Sequence, residues 1–368
     1  MTNPTDLLPE GLEDRLPQSA ARITQAMRAC LDVLGAHGYD RVRPPMLEFE
    51  RSLSSRMEGI YSRKMFRFVD PASLRTLALR SDITPQVGRI AATSMKDAAR
   101  PLRLAYCGDT VLIRASQLDP ARERLQLGAE LVGADTVAAA SEIVMVAVEA
   151  LHAAGLTGIS VDFTLPDLVD TLAVQNLSMK PETVEAIRRE LDTKDAGGLK
   201  AVGGEAYLPL LYATGPFADA MAKLRELDAG GALATRLDGL EAIATRIGDN
   251  ARITLDPTER HGFEYQSWFG FTLYAEGVRG AAGRGGTYKI AGSDEPATGF
   301  TLYVDKLAEA APQPQKPRTV FLPLGHDPKV AAHVRSDGAR TVAQLADSDD
   351  PVALGCSHRL EGNSIQPL

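Results

Sequence analysis

The stretch Leu102–Gly133, LRLAYCGDTVLIRASQLDPARERLQLGAELVG, decides the fold class. Leu102, Leu104 and Tyr106 alternate with Arg103, Ala105 and Cys107. Further on, Leu125, Leu127, Ala129 and Leu131 alternate with Gln126, Gly128 and Glu130. A period of two puts alternate side chains on opposite faces of a sheet, so the spacing predicts two strands. The connecting ASQLDPARER is too polar for core, and its Asp119-Pro120 is a turn signal. The second strand lays Gln126 and Glu130 on one face with a glycine between them. A glycine inside a strand marks the close approach of a ligand or of another backbone. A plain hairpin with one solvated face satisfies the same pattern.

A second stretch has the same polarity. Leu77–Thr84, LALRSDIT, alternates with Arg80 and Asp82 opposite the leucines and reads as a further strand. Together the two segments pool Arg80, Asp82, Gln126 and Glu130 on one floor. Carboxylates and an amide grouped in this way accept the protons of an amino acid's ammonium group and balance its charge.

The remaining chain frames this floor. Its 368 residues, 44% hydrophobic, suggest two or so domains with ample core. A net charge of −8 argues against a dominant nucleic-acid surface, because phosphate binding leans on lysine and arginine. Cys30, Cys107 and Cys356 form neither a metal spacing nor a disulfide framework, which fits a reducing cytoplasm. The first residues show no basic start leading into an apolar run, so no signal peptide is expected. The most apolar helix candidate, Val137–Leu156, contains Glu142, Glu149 and His152 and reads as a buried helix rather than a membrane span, with Asp135 as its N-cap.

Before the floor, Gln18–His37 has helical spacing at Ile23, Met27, Cys30, Leu31 and Leu34, followed by a strand over Arg41–Glu48. Met65–Asp70 and Thr76–Leu79 read as the arms of another hairpin, and Ile83–Ser94 as a helix. After the floor, Gly155–Leu165 is a strand. Residues 166–249 then recur at helical spacing between glycine pairs and read as a helical insertion. Strands return at Ile253–Leu255 and Phe269–Tyr274, and Gly283-Arg284-Gly285-Gly286 reads as a turn. Residues 317–368 hold a strand at Thr319–Pro323, a helix at Pro328–Val334 and a strand at Thr341–Leu345, a short α/β remnant. The expected architecture is α+β: a core over 1–165 and 250–312, the insertion, and the C-terminal segment.

Six segments in order carry a family resemblance: GYDRVRPPMLE (38–48), LALRSDIT (77–84), YCGDTVLIRAS with ERLQLGAELVG (106–133), HGFEYQSWFGF (261–271), AAGRGGTYKI (281–290) and GFTLYVDKL (299–307). This series resembles the class II aminoacyl-tRNA synthetase core, most closely its histidyl branch, across roughly residues 5–310. The resemblance implies an antiparallel sheet flanked by helices, and a homodimer built through the Gln18–Glu48 region. It also implies a histidine site formed by Asp82, Gln126, Glu130 and Tyr265, with Arg80, Thr84, Arg114, His261 and Gln266 as further pocket candidates. It implies no metal and no cofactor.

The departures from that family carry the functional expectation. Leu112 stands where the family places the arginine that clamps the ATP α-phosphate, and Arg114 where it has an acidic residue. Lys306 replaces the arginine behind the γ-phosphate, and His261 replaces the histidyl-specific arginine, beside Arg260. Adenylate formation develops charge on phosphate oxygens, and losing one fixed cation there costs several kcal/mol. Neither lysine nor leucine copies arginine's bidentate fork. The second pocket aromatic has become Gln266, and the loop tyrosine has become Gly285. A histidyl-synthetase-like body of this kind, with no catalytic residues of its own, resembles the regulatory subunits of ATP phosphoribosyltransferase. That resemblance implies three things: a short catalytic phosphoribosyltransferase as partner, L-histidine as effector, and no nucleic acid or membrane. A divergent histidyl-tRNA synthetase and a dimeric scaffold unrelated to histidine are the competing readings.

Overall fold

The computed structural model describes residues 8–54, 65–114, 120–175, 180–260, 266–293, 295–313 and 316–368, with backbone alone at 174, 175 and 266. Two compact units emerge, one up to Pro312 and one from Gln313. In the first unit the early elements are α1 (Pro17–Ala36), β1 (Asp40–Arg41), β2 (Leu47–Phe49), α2 (Glu50–Ser54), β3 (Arg67–Val69), β4 (Thr76–Leu79) and α3 (Thr84–Ala92). They lead to β5 (Leu102–Val111), β6 (Glu123–Val132), α4 (Val137–Ala153) and β7 (Ser160–Thr164). A helical stretch follows: α5 (Leu168–Gln175), α6 (Pro181–Asp192), α7 (Ala196–Ala201), a 3-10 turn at Glu205–Tyr212, β8 (Gly215–Pro216), α8 (Phe217–Leu227) and α9 (Ala234–Ile247). The unit closes with β9 (Arg252–Leu255), β10 (Gln266–Tyr274), β11 (Gly283–Ile290), β12 (Glu295–Tyr303) and α10 (Val304–Ala310).

Nine strands form one sheet in the order β1-β5-β6-β12-β11-β10-β7-β9-β8. It is antiparallel except where β1 meets β5 and β7 meets β9. The opening hairpin is its longest ladder, running from Leu102↔Val132 to Val111↔Glu123. Alternation gives the sheet two unlike faces. On the back, Ala105, Leu127, Ala129, Leu131, Phe163, Phe271 and Phe300 join one apolar core with Cys30 and Leu34 of α1, Val144 and Leu151 of α4, and Leu307 of α10. On the front, Ile83, just ahead of α3, and Val87 and Ala91 of that helix pack against Leu104, Tyr106, Val132, Tyr288 and Ile290. Polar side chains begin where this smaller cluster ends.

Several local expectations change. The strand expected over Arg41–Glu48 is two, β1 and β2, because Pro44-Pro45 cannot donate to a ladder. These two strands go to different sheets: β2, β4 and β3 form a small three-stranded sheet of their own. The strand expected over Leu77–Thr84 stops at Leu79, and Thr84 already opens α3, with Pro85 in the first turn, where proline fits a helix. The glycine-rich stretch expected as a turn is instead β11, central to the large sheet. A Cβ at Gly285 would overlap the Phe271 ring and lie 2.5 Å from the carbonyl of Gly299. Glycine there lets three layers of chain close up. The N-cap of α4 is Thr136, not Asp135: its hydroxyl accepts from the N–H of Ala139 at 3.2 Å. α4 itself is buried along most of its length, and among the described residues no helix is long and apolar enough to cross a membrane.

The second unit contains β13 (Thr319–Leu322), α11 (Pro328–Ser336), β14 (Arg340–Ala343), β15 (His358–Glu361) and β16 (Ser364–Pro367). Its sheet runs β14-β13-β15-β16, the last pair an antiparallel hairpin beyond the two strands and helix expected there. Val320, Leu322, Ala331, Val334, Ala339 and Leu360 give it a small core of its own.

Candidate functional site

Gln126 and Glu130 point from the front face of β6, in phase with Gly128, as the alternation requires. Gln126 is nearly saturated. Its Nε2 donates to Asp82 Oδ1 at 2.7 Å and to Thr301 Oγ1 at 3.0 Å, while its Oε1 accepts from the N–H of Ile83 at 2.9 Å. Amide nitrogen toward the carboxylate and oxygen toward the backbone donor is the one assignment that satisfies both ends. Asp82 therefore does reach the floor, from the turn ahead of α3 rather than from a strand. Its Oδ1 also accepts from the N–H of Thr84 at 3.1 Å, a local bond that fixes the turn leading into the helix.

Glu130 lies deeper and is 1% exposed. Tyr288 donates its hydroxyl to Oε2 at 2.7 Å, and the hydroxyl of Tyr106 stands 3.3 Å from Oε1. Tyr106 is itself 2.7 Å from Thr301 Oγ1 and 3.1 Å from Thr84 Oγ1. Its single proton can serve only one of these three neighbours. The backbone of Gly299, opposite Glu130 in the ladder, lies so close that a Cβ there would overlap Oε2. Among the described residues the partners of Glu130 are thus hydroxyls, and no cation pairs with it. Burial pushes its pKa up to about 8; hydrogen bonds from Tyr288, Thr84 and Tyr106 pull the other way, and the charge of Asp82 adds to the rise.

The other candidates divide. Thr84 is buried and joins the cluster through Tyr106. Arg80 is buried too, but it spends its donors on the carbonyls of Asp109 at 2.7 Å and Pro44 at 3.0 Å and on Gln86 Oε1 at 3.4 Å. Its guanidinium occupies the space that a side chain at Gly108 would need. Arg80 therefore builds the wall rather than facing a ligand. Arg114 is exposed beyond the end of β5. His261 and Tyr265 lie outside the described residues, as does the side chain of Gln266, whose backbone opens β10 opposite Tyr288.

Four participants were not foreseen. Tyr106 fills the gap over Gly128: a Cβ at that glycine would overlap the backbone carbonyl of Phe300 and stand 2.5 Å from the Tyr106 oxygen, so the glycine marks the close approach of another backbone, as expected, and of a neighbouring side chain as well. Thr301 links Tyr106 to Gln126, and Gly299 makes room for Glu130. The fourth is Tyr288. The loop tyrosine counted as lost at Gly285 has a counterpart three residues on, where a buried phenol meets Glu130. The signal was present in the sequence, since Tyr288 is in phase with Arg284 and Gly286 on an alternating segment.

The positions of the expected ATP contacts offer no guanidinium. Leu112 follows β5, with its N–H on the carbonyl of Arg122 at 2.8 Å. Lys306 sits in α10 with its ammonium 5.5 Å from the centre of the Tyr303 ring.

The model of the histidyl-tRNA synthetase family matches residues 11–307. The ATP phosphoribosyltransferase regulatory subunit of Rhodospirillum centenum is 39% identical over 98% of this chain and 96% of its own length. That of Paramagnetospirillum magneticum is also 39% identical, over 98% of this chain and 97% of its own. The chain belongs to the ATP phosphoribosyltransferase regulatory subunit family. The fold agrees with the family. A solved structure described as an ATP phosphoribosyltransferase regulatory subunit/histidyl-tRNA synthetase from Bacillus halodurans C superposes with a TM-score of 0.82 at 26% identity, over 96% of this chain and 97% of that one.

Proposed function

We propose that this chain is a non-catalytic regulatory subunit, a synthetase paralogue without adenylating activity. A short catalytic ATP phosphoribosyltransferase, itself a glycosyltransferase, requires it for the first step of L-histidine biosynthesis. L-histidine acts as feedback inhibitor through the cluster around Gln126 and Glu130, with Tyr265 lining the side-chain end. The observation that carries this reading is the contrast within one sheet. The amino-acid floor of Asp82, Gln126 and Glu130 is fully assembled, while the two positions that should grip ATP hold Leu112 and Lys306. A pocket that once selected a substrate then reports the end product of the pathway. Histidine inhibits by binding the inactive assembly more tightly than the active one.

In this reading the chain is a cytoplasmic homodimer inside a hetero-oligomer. The helical insertion over 166–249 and the α/β segment over 317–368 carry no chemistry of their own. The test is co-purification with a short phosphoribosyltransferase, followed by an assay of that enzyme with and without histidine. The pair is expected to be active and histidine-sensitive, and Glu130→Ala to assemble normally but escape inhibition. Calorimetry is expected to show histidine binding weakened by roughly 1–3 kcal/mol in Glu130→Ala, the range for a hydrogen bond to a charged group. Equal affinity in the two proteins would take Glu130 out of the mechanism.

A further inference from the structure

A carboxylate that must meet a cationic ligand is ordinarily kept ionised by a nearby base or by exposure to water. Glu130 has neither among the described residues. It is 1% exposed, and the groups that act on it among the described residues are the hydroxyls of Tyr288, Thr84 and Tyr106 and the carboxylate of Asp82. Tyr106 comes from β5, Asp82 from the turn before α3, Thr84 from α3, and Tyr288 from β11. From β12 the backbone of Gly299 and the hydroxyl of Thr301 approach this cluster. Tyr39 also feels the charge of Glu130, and it is a neutral phenol held protonated by burial. Ionising Glu130 in this shell sets a second negative charge near Asp82 with hydroxyls alone to stabilise both, a costly arrangement. The neutral acid suits the same shell well, since its oxygens still accept from Tyr288 and Tyr106.

We propose that the empty site holds Glu130 as the neutral acid, and that an ammonium-bearing ligand enters by displacing that proton to solvent. The balance is simple. Glu130–COOH and ligand–NH₃⁺ become the pair Glu130–COO⁻ with ligand–NH₃⁺, and one H⁺ leaves. Burial that pushes Glu130 up to about 8 supports the same order of events. Proton release makes binding tighten as the pH rises toward that value, up to about tenfold per pH unit while the free site is protonated and the filled site is not. Feedback would thus weaken in an acidified cell. The inference rests on the reading of this cluster as the histidine site.

The experiment is calorimetry of L-histidine binding to the full chain near pH 7, in phosphate and in Tris, whose ionisation enthalpies differ widely. About one proton released per histidine is expected for the natural chain and none for Glu130→Gln. Difference infrared spectroscopy of the natural chain checks the same event without a variant: a protonated-carboxyl band should disappear on adding histidine. Tight binding with no proton released, or with a proton taken up, overturns the inference and leaves the histidine site standing. Absence of histidine binding removes the site, and the inference with it.

Discussion

Glu130 makes the stability of the empty protein depend on pH in an uncommon direction. Its pKa rises from 4.5 to about 8 on folding, so between those values the native state holds a proton that the unfolded chain has lost. Stability from this residue is complete below about pH 4.5 and is lost as the pH climbs through about 8, by at most ~1.4 kcal/mol per unit. Thermal melts across that window are expected to show the natural chain falling relative to Glu130→Gln, whose amide does not titrate. Gly299→Ala attacks the same point sterically. The new methyl would overlap Glu130 Oε2 and lie 2.8 Å from the carbonyl of Ala129. A destabilisation of ~1–3 kcal/mol is expected, with loss of histidine affinity in calorimetry. These two residues also show what sequence can reveal at this scale. Glu130 and Gln126 announced themselves by sharing a strand face. Tyr288 shows its phase within its own segment, but that it and Gly299 meet Glu130 depends on a register between strands far apart in the chain, and no spacing within one segment contains that register.

Helices and strands obey the same division. α1 could be read from periodicity because it buries one face against the core, and the β5–β6 hairpin because its two faces are distinct, one apolar and one carrying Gln126 and Glu130 beside a smaller cluster. β11 could not, since its glycines lower strand propensity, and the reason for them is the Phe271 ring and the β12 carbonyls packed against them. α3 was read to within a residue at its start, where Pro85 in the first helical turn acts as a start signal rather than a break. For α4 the cap is a concrete target. Thr136→Ala leaves the Ala139 N–H without its side-chain acceptor, and ~1 kcal/mol of stability should be lost, visible as a lower melting temperature. Arg80→Lys tests the wall between β5 and the Pro44 loop. Lysine cannot reach the carbonyls of Asp109 and Pro44 in the guanidinium's fork, so the variant should be less stable to denaturant.

For the molecule as a whole, the proposed role makes two simple demands. Purified protein should catalyse no histidine-dependent exchange of pyrophosphate into ATP; exchange above background would mean that Leu112 and Lys306 do not disable the site. Light scattering at micromolar concentration should give the mass of a dimer, and a mass of one chain that persists when the phosphoribosyltransferase is added would count against assembly. The path of the chain through the large sheet has a further consequence for protein engineering. β7 and β9 are parallel neighbours, with Ser160 opposite Arg252 and Phe163 opposite Leu255. A chain that leaves β7 at its far end must travel back the length of the strand, roughly 15 Å, before β9 can begin. Residues 165–251 make that return journey, and on the way they supply β8 and place Leu237, Leu240 and Ile243 of α9 in the central core. Excising the helices and closing the gap with a tight turn would therefore force β9 to run the wrong way or leave the sheet. The shortest graft that keeps the topology is a return path of about a dozen residues, with one apolar face to cover the ground that α9 gave up.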